Sequence, residues 1–170
     1  MSLTMYTASI PVFTRLLTQL DVLLDKATAF ADERKIDPNA LLLARLSPDM
    51  FTLIRQVQIA TDMIKGTCGR LAAVELPKFE DTEATFADLK ARIAKTRDFL
   101  GTLTVAQFEG AETRQITLKV GPPTNQQTLE FVGQDYLMAW GTPNVYFHYS
   151  MVYALLRHNG VMVGKRDYLG

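Results

Sequence analysis

Asn144 and His148 stand one helical turn apart within the run Asn144-Val145-Tyr146-Phe147-His148. Residues at that spacing share one face of a helix, so the two side chains aim into the same space. A pair of histidines so placed on a bundle helix would chelate a divalent metal, and here one of the two is an amide. Imidazole nitrogen binds zinc, nickel or iron well, whereas amide oxygen is a weak ligand for them and suits harder cations. The face continues through Met151, Val152 and Leu155. The favoured reading of His148 is therefore a hydrogen-bonded core histidine, with a polar group in a ligand pocket and a metal ligand as the two sharper ones.

The elements that must position these residues are mostly helical. Ile10, Phe13, Leu17, Leu20, Leu24 and Ala27 recur at three- and four-residue steps and predict a first helix over 9–33, capped by Ser9 with Pro11 in its first turn. A short helix is expected over 39–46. Ser47-Pro48 reads as the start of a second long helix carrying Phe51, Ile54, Val57, Ile64, Cys68 and Leu71 on one side. Gly66 and Gly69 inside it each cost about 1 kcal/mol relative to Ala, which suggests close packing of a neighbouring helix or a bend, with close packing favoured. The segment 73–81 contains Pro77 and reads as extended, with a third helix from Thr82 burying Phe86, Leu89, Ile93, Leu100 and Leu103.

From Arg114 the period changes to alternation. Ile116, Leu118 and Val120 face one way, and Gly121-Pro122-Pro123-Thr124-Asn125 turns the chain toward Thr128-Leu129-Glu130-Phe131-Val132. A lone hairpin is marginal in water, so this one must pack on the helices or on a second subunit. Trp140-Gly141-Thr142-Pro143 reads as a stop before the last helix, which ends at Arg157-His158-Asn159-Gly160 with basic groups at its negative pole and a glycine in the left-handed end. The sum is an all-α four-helix bundle, a single domain over 1–170, with a small β-hairpin between the third and fourth helices. Should the second and third helices run parallel, nine extended residues reach about 30 Å, enough to cross the bundle only if nearly straight.

Composition narrows the function classes. Eighteen basic residues balance eighteen acidic ones, which argues against nucleic-acid or anionic-membrane partners. The single cysteine fits a reducing compartment, and no apolar run approaches the ~18 residues of a bilayer span, so a cytoplasmic protein is expected. No phosphate loop, dinucleotide fingerprint, serine elbow or paired-cysteine metal motif is present.

Three runs carry a resemblance: Gln56-Val57-Gln58-Ile59-Ala60-Thr61-Asp62-Met63, then Gly133-Gln134-Asp135-Tyr136-Leu137, and Pro143 to His148 followed by Leu156-Arg157-His158-Asn159-Gly160. Together they resemble the domain of unknown function 1993 family, within the DinB/YfiT-like superfamily of four-helix-bundle metalloenzymes. The resemblance implies an up-down-down-up DinB-like bundle, often a homodimer, whose members with the full motif hold a divalent metal through three histidines. Some members are thiol-dependent transferases or isomerases. On the positions of this chain, His148 matches the second histidine of the final-helix pair, Asn144 stands where the first belongs, and Gln56, with Gln58 as the neighbouring alternative, stands for the second-helix histidine. The implied metal site is thus His148, Asn144 and Gln56, a degenerate set that binds a divalent metal weakly.

Gln56 and Asn144 can equally hydrogen-bond each other or His148 across the bundle. Asp62 could orient His148 as a general base, but a solvated pair with Lys65 is the commoner arrangement. Tyr136, Trp140, Tyr146, Tyr149 and Tyr153 concentrate aromatic bulk near the last helix, as core, dimer interface or pocket lining. Cys68 sits at a core-facing spacing and reads as inert. Asp62, Tyr136, Trp140 and Met151 are the pocket candidates. The expected function is binding of a small molecule or partner by a non-catalytic homodimer, and the runner-up is a divalent-metal-dependent enzyme of the thiol-transferase or hydrolase kind, with His148 the surviving ligand.

Overall fold

The computed structural model describes residues 3–122 and 124–170, so Pro123 of the hairpin turn lies outside the described residues. The chain is mostly helical. Its elements are α1 (Met5–Arg34), α2 (Asn39–Leu42), α3 (Leu53–Leu71), α4 (Phe86–Gly101), a 3₁₀ turn (Val105–Phe108), β1 (Gln115–Val120), β2 (Gln127–Val132), α5 (Gly133–Asp135), a π-helical segment (Tyr136–Gly141), α6 (Thr142–His158) and α7 (Lys165–Leu169).

The stripes read from the sequence line one core. Phe13, Leu17, Leu20 and Leu24 of α1, Val57, Ile64, Cys68 and Leu71 of α3, Leu89, Ile93 and Leu100 of α4, and Val145, Val152 and Leu155 of α6 are all buried in it. Among the helices the most extensive packing is α3 against α6, followed by α3 against α4 and α1 against α4.

Helix starts differ from those expected, for identifiable reasons. α1 begins at Met5, with Thr4 and Thr7 in a reciprocal capping box. Ser9 is not a cap but a buried residue donating to the Met5 carbonyl at 2.6 Å, and Pro11 lies in the exposed helix interior. Ser47-Pro48 does not open α3, because the Ser47 hydroxyl donates to Asp49 at 2.6 Å and closes a local turn. Thr52 caps α3 instead, leaving Phe51 outside the helix and exposed. Likewise α4 starts after Thr85, whose hydroxyl accepts from the Asp88 amide while Asp88 reaches back to the Thr85 amide at 2.9 Å. That box is worth about 1 kcal/mol, enough to prefer Thr85 over Thr82.

The hairpin is antiparallel, pairing Ile116 with Phe131 and Leu118 with Leu129. Those four share a face that packs on the helical core. The two glycines of α3 serve different ends. A Cβ at Gly69 would strike Leu76 and come within 3.2 Å of Phe99, so the 72–85 connection and α4 both press on the helix there. A Cβ at Gly66 would strike only the guanidinium of Arg70.

The break expected at Trp140 to Pro143 does not exist. Backbone angles stay right-handed through Tyr136, Gly141 and Thr142, so α5, the π segment and α6 form one continuous helical path. Proline cannot donate a helical hydrogen bond, and a widened turn just before Pro143 absorbs that loss without ending the helix. α6 closes as expected, with Gly160 at φ +89° and the Val161 amide donating to Leu156 at 3.0 Å. The tail folds back on its own chain: Lys26 pairs with Asp167 at 2.7 Å, and the Tyr149 hydroxyl donates to the Tyr168 carbonyl at 2.7 Å. Among the described residues, no helix is long and apolar enough to cross a membrane.

Candidate functional site

Gln56 and His148 meet. Both are buried, and the His148 Nδ1 lies 2.8 Å from the Gln56 Oε1. A carbonyl oxygen only accepts, so Nδ1 carries the proton and Nε2 is left with its lone pair. The Phe147 ring stands edge-on to the imidazole at 5.1 Å. Burial, and secondarily the positive charge of Arg55, hold the His148 pKa below the ordinary imidazole value, so the ring is neutral near pH 7. Asn144 does not join the pair. Its amide donates to the Trp140 carbonyl at 2.7 Å, one turn back along its own helical path.

This donor set does not fit a transition metal. One imidazole and two amide oxygens are a poor set to begin with, one of the amides already serves as an acceptor for His148, and the other is anchored along its own helix. Among the described residues no group of three or more His, Cys, Asp or Glu side chains is arranged to hold an ion. His158, exposed at the far end of α6, adds nothing to the pair.

A second cluster lies farther along α3, built around Arg92, which the sequence reading passed over. Arg92 is only 1% exposed, yet its Nε donates to the Thr61 hydroxyl at 2.8 Å and its Nη1 to Glu83 at 3.0 Å and to the Glu80 carbonyl at 3.2 Å. Asp62 lies 2.9 Å from Nη2, as a charge contact too oblique for a hydrogen bond, and Asp81 lies 3.1 Å from Nη1. Gln58 donates to the other Glu83 oxygen at 2.9 Å, and Arg55 pairs with Asp81. Asp62 also pairs with Lys65 at 2.8 Å, the partner expected of it, but with the lysine buried and not solvated. It therefore serves α4 and the 72–85 connection and does not orient His148. The guanidinium stays charged, because its carboxylate partners outweigh the cost of burial. The visible signal was that Arg92 occupies a core-facing slot among Leu89, Ile93 and Thr96.

Beside this cluster lies a cleft of about 600 Å³ between α3, the 72–85 connection, β1 and the π segment. That size is ordinary for a small-molecule site, in the range of roughly 300–1,000 Å³. Asp62, Tyr136 and Trp140 line it, as do Lys65, Arg70 and Phe79, whereas Met151, His148, Gln56 and Asn144 do not. Tyr136 is buried, and its hydroxyl accepts from Arg70 at 3.2 Å. Phe131 stacks obliquely between Tyr136 and Trp140, with centroids 5.8 and 5.7 Å away. Phe79 lies under the Lys65 ammonium at 4.1 Å. Met151 is only half-buried. Cys68 is fully buried, and burial pushes its thiol well above the reactive range.

Comparison with known proteins agrees with this architecture. The family model described as Domain of unknown function (DUF1993) matches residues 5–169. A crystal structure of a DinB family member protein from Shewanella denitrificans, at 1.83 Å resolution, superposes with a TM-score of 0.87 at 40% sequence identity. That match covers 97% of this chain and 91% of the other. No curated protein matches. The chain belongs to the DUF1993 family and shares the fold of a DinB family protein.

Proposed function

We propose that this protein is a non-catalytic DinB-like bundle that binds a small molecule in the cleft beside α3 and works as a cytoplasmic homodimer. The observation that carries the proposal is the division of labour along α3. Gln56 and His148 are tied to each other, while the cleft lined by Tyr136, Trp140, Lys65 and Arg70 is open to a ligand. The general-base role weighed for His148 lacks its partner, because Asp62 is engaged by Lys65 and Arg92. No reaction step through a metal follows from the donors present.

In this reading the four long helices run up-down-down-up. Supporting it, contacts between α3 and α4 advance in the same direction, Thr61 with Arg92 and then Gly69 with Phe99. Contacts between α3 and the last helical path advance in opposite directions, Gln56 with His148 and Thr67 with Gly141. Parallel α3 and α4 require the long 72–85 crossing, and that crossing is what walls the cleft. The homodimer is supported by family resemblance. Light scattering at micromolar concentration should give the mass of two chains, and a single-chain mass removes this part of the proposal.

The binding proposal is tested by a thermal-shift screen of small organic compounds beside zinc, nickel, magnesium and calcium. A compound at 100 times its Kd adds about 2.7 kcal/mol, a rise of roughly 5–10 °C for a domain of this size. Stabilisation by compounds and not by zinc or nickel is expected. Stabilisation by micromolar zinc or nickel with no response to any compound overturns the reading.

A further inference from the structure

We infer that the cleft takes a small organic anion, a carboxylate carried on a compact aromatic or apolar body, with Arg70 as the group that recognises the carboxylate. This rests on the cleft being a ligand site and goes on to specify what enters it.

The cations of the cleft are not equivalent. Lys65 is already neutralised by Asp62 at 2.8 Å and covered by the Phe79 ring, and Lys78 pairs with Glu80 at 3.3 Å. Lys119 is exposed. Arg70 is half-buried, and among the described residues no carboxylate lies within ion-pair reach of it. Among the described residues its one hydrogen bond uses Nη1 and goes to a neutral acceptor, the Tyr136 hydroxyl. A guanidinium presents five donors in a planar fork that matches a carboxylate, so most of the recognition capacity of Arg70 is unspent. Glu75 also lines the cleft, and with Asp62 it sets two acidic side chains against four cations, Lys65, Arg70, Lys78 and Lys119. Asp62 is matched by Lys65 and Lys78 by Glu80, which leaves Arg70 and Lys119 against Glu75, so the excess is positive.

Gly66 supplies a second, separate observation. A Cβ there would collide with the Arg70 guanidinium and with no other residue, so the missing side chain leaves the space in which that head group lies along α3 and lines the cleft. The half-buried Trp140 ring, backed by Phe131 and through it by the buried Tyr136, offers the apolar body of a ligand a surface in the same cleft. Charge on one part of the wall and aromatic area on another select a molecule with both.

Trp140 is the only tryptophan of the chain, so its emission reports this site alone. The test is titration of the full chain with 3-phenylpropionate and, separately, with its neutral amide, 3-phenylpropionamide, exciting at 295 nm. Expected is a saturable change in emission with the acid, at least about tenfold tighter than with the amide, since a charge-assisted hydrogen bond exceeds a neutral one by that order. Arg70→Gln should weaken the acid about tenfold and leave the amide unchanged. Gly66→Ala keeps the charge but displaces it, so it should weaken the acid as well. This second variant guards against misfolding of the first, because only a flexible side-chain head must move. Equal binding of acid and amide, or an acid affinity untouched in both variants, overturns the anion inference while leaving a ligand cleft. No emission change with millimolar acid also overturns it, and the ligand-cleft reading then stands or falls on the compound screen.

Discussion

Arg92→Met removes a guanidinium that is 1% exposed and leaves its partners in place. Breaking a buried charge network by deleting one member costs about 3–5 kcal/mol, chiefly because the remaining charges stay desolvated. Here the partners differ in their access to water: Glu83 keeps 11% of its side chain exposed, Asp62 35% and Asp81 39%. The two aspartates can rehydrate and relieve part of the penalty, whereas Glu83, Thr61 and the Glu80 carbonyl cannot easily replace the donor. The expected loss is therefore near the lower limit, about 3 kcal/mol, which for a domain of this size lowers Tm by roughly 6–12 °C. Urea unfolding followed by far-ultraviolet circular dichroism measures it, with the midpoint falling at unchanged slope. Because Arg92 also holds the 72–85 connection that walls the cleft, Trp140 emission should shift in the folded variant. Arg92→Lys should fall between, since one ammonium cannot span Thr61, Glu83 and Asp62 at once. A loss below about 1 kcal/mol would show that the buried cluster is dispensable and that the cleft wall is held by apolar packing alone.

Gly133→Ala sets a Cβ into the Ala111 carbonyl, a backbone atom that cannot swing aside. Overpacking of about 3 kcal/mol outweighs the roughly 1 kcal/mol gain in helix propensity, so Tm should fall by roughly 4–8 °C, and an unchanged Tm refutes the close approach. Thr67→Val acts in the opposite sense. The Thr67 hydroxyl is buried against Gly141 with no partner among the described residues, so an isosteric methyl should raise stability by about 1 kcal/mol in urea unfolding. A destabilised variant would reveal a hydrogen bond at the π segment. His148 gives a pH signature. Its folded pKa is depressed by burial, so the unfolded chain binds the proton more readily. The contribution of His148 is complete above its unfolded value near 6.5 and is lost as pH falls through the folded value. Wild type should lose more stability than His148→Gln between pH 7 and pH 5, as read by urea midpoints, and equal slopes contradict a buried neutral ring.

Much of the fold was legible because apolar periodicity records burial directly. The α1 stripe, the alternating Ile116 and Leu118, and the Gly160 cap are each fixed by local chemistry that the chain carries within a few residues. Helix starts were less legible, since Ser47, Thr52, Thr82 and Thr85 are all competent caps and tertiary burial of Leu53 and Phe86 decides among them. The π segment was invisible, because Gly141 and Pro143 signal a stop whenever the neighbouring helix is ignored. Of the candidate site, the Gln56 and His148 contact was within reach, as one of the arrangements open to those residues. Arg92 and Arg70 were missed because charged residues are ordinarily solvated, and only the tertiary packing buries the one among carboxylates and leaves the other half-buried without one.

Under the proposed function Gln56 is spent on the His148 Nδ1 and Asn144 is turned back on Trp140, so the free Nε2 has no companion donor with which to hold a transition metal. Elemental analysis of protein purified without chelator tests it directly. Zinc, nickel and iron, each far below one equivalent per chain and unaffected by His148→Ala, are the expected result. One equivalent of any of them, lost in His148→Ala, would contradict it.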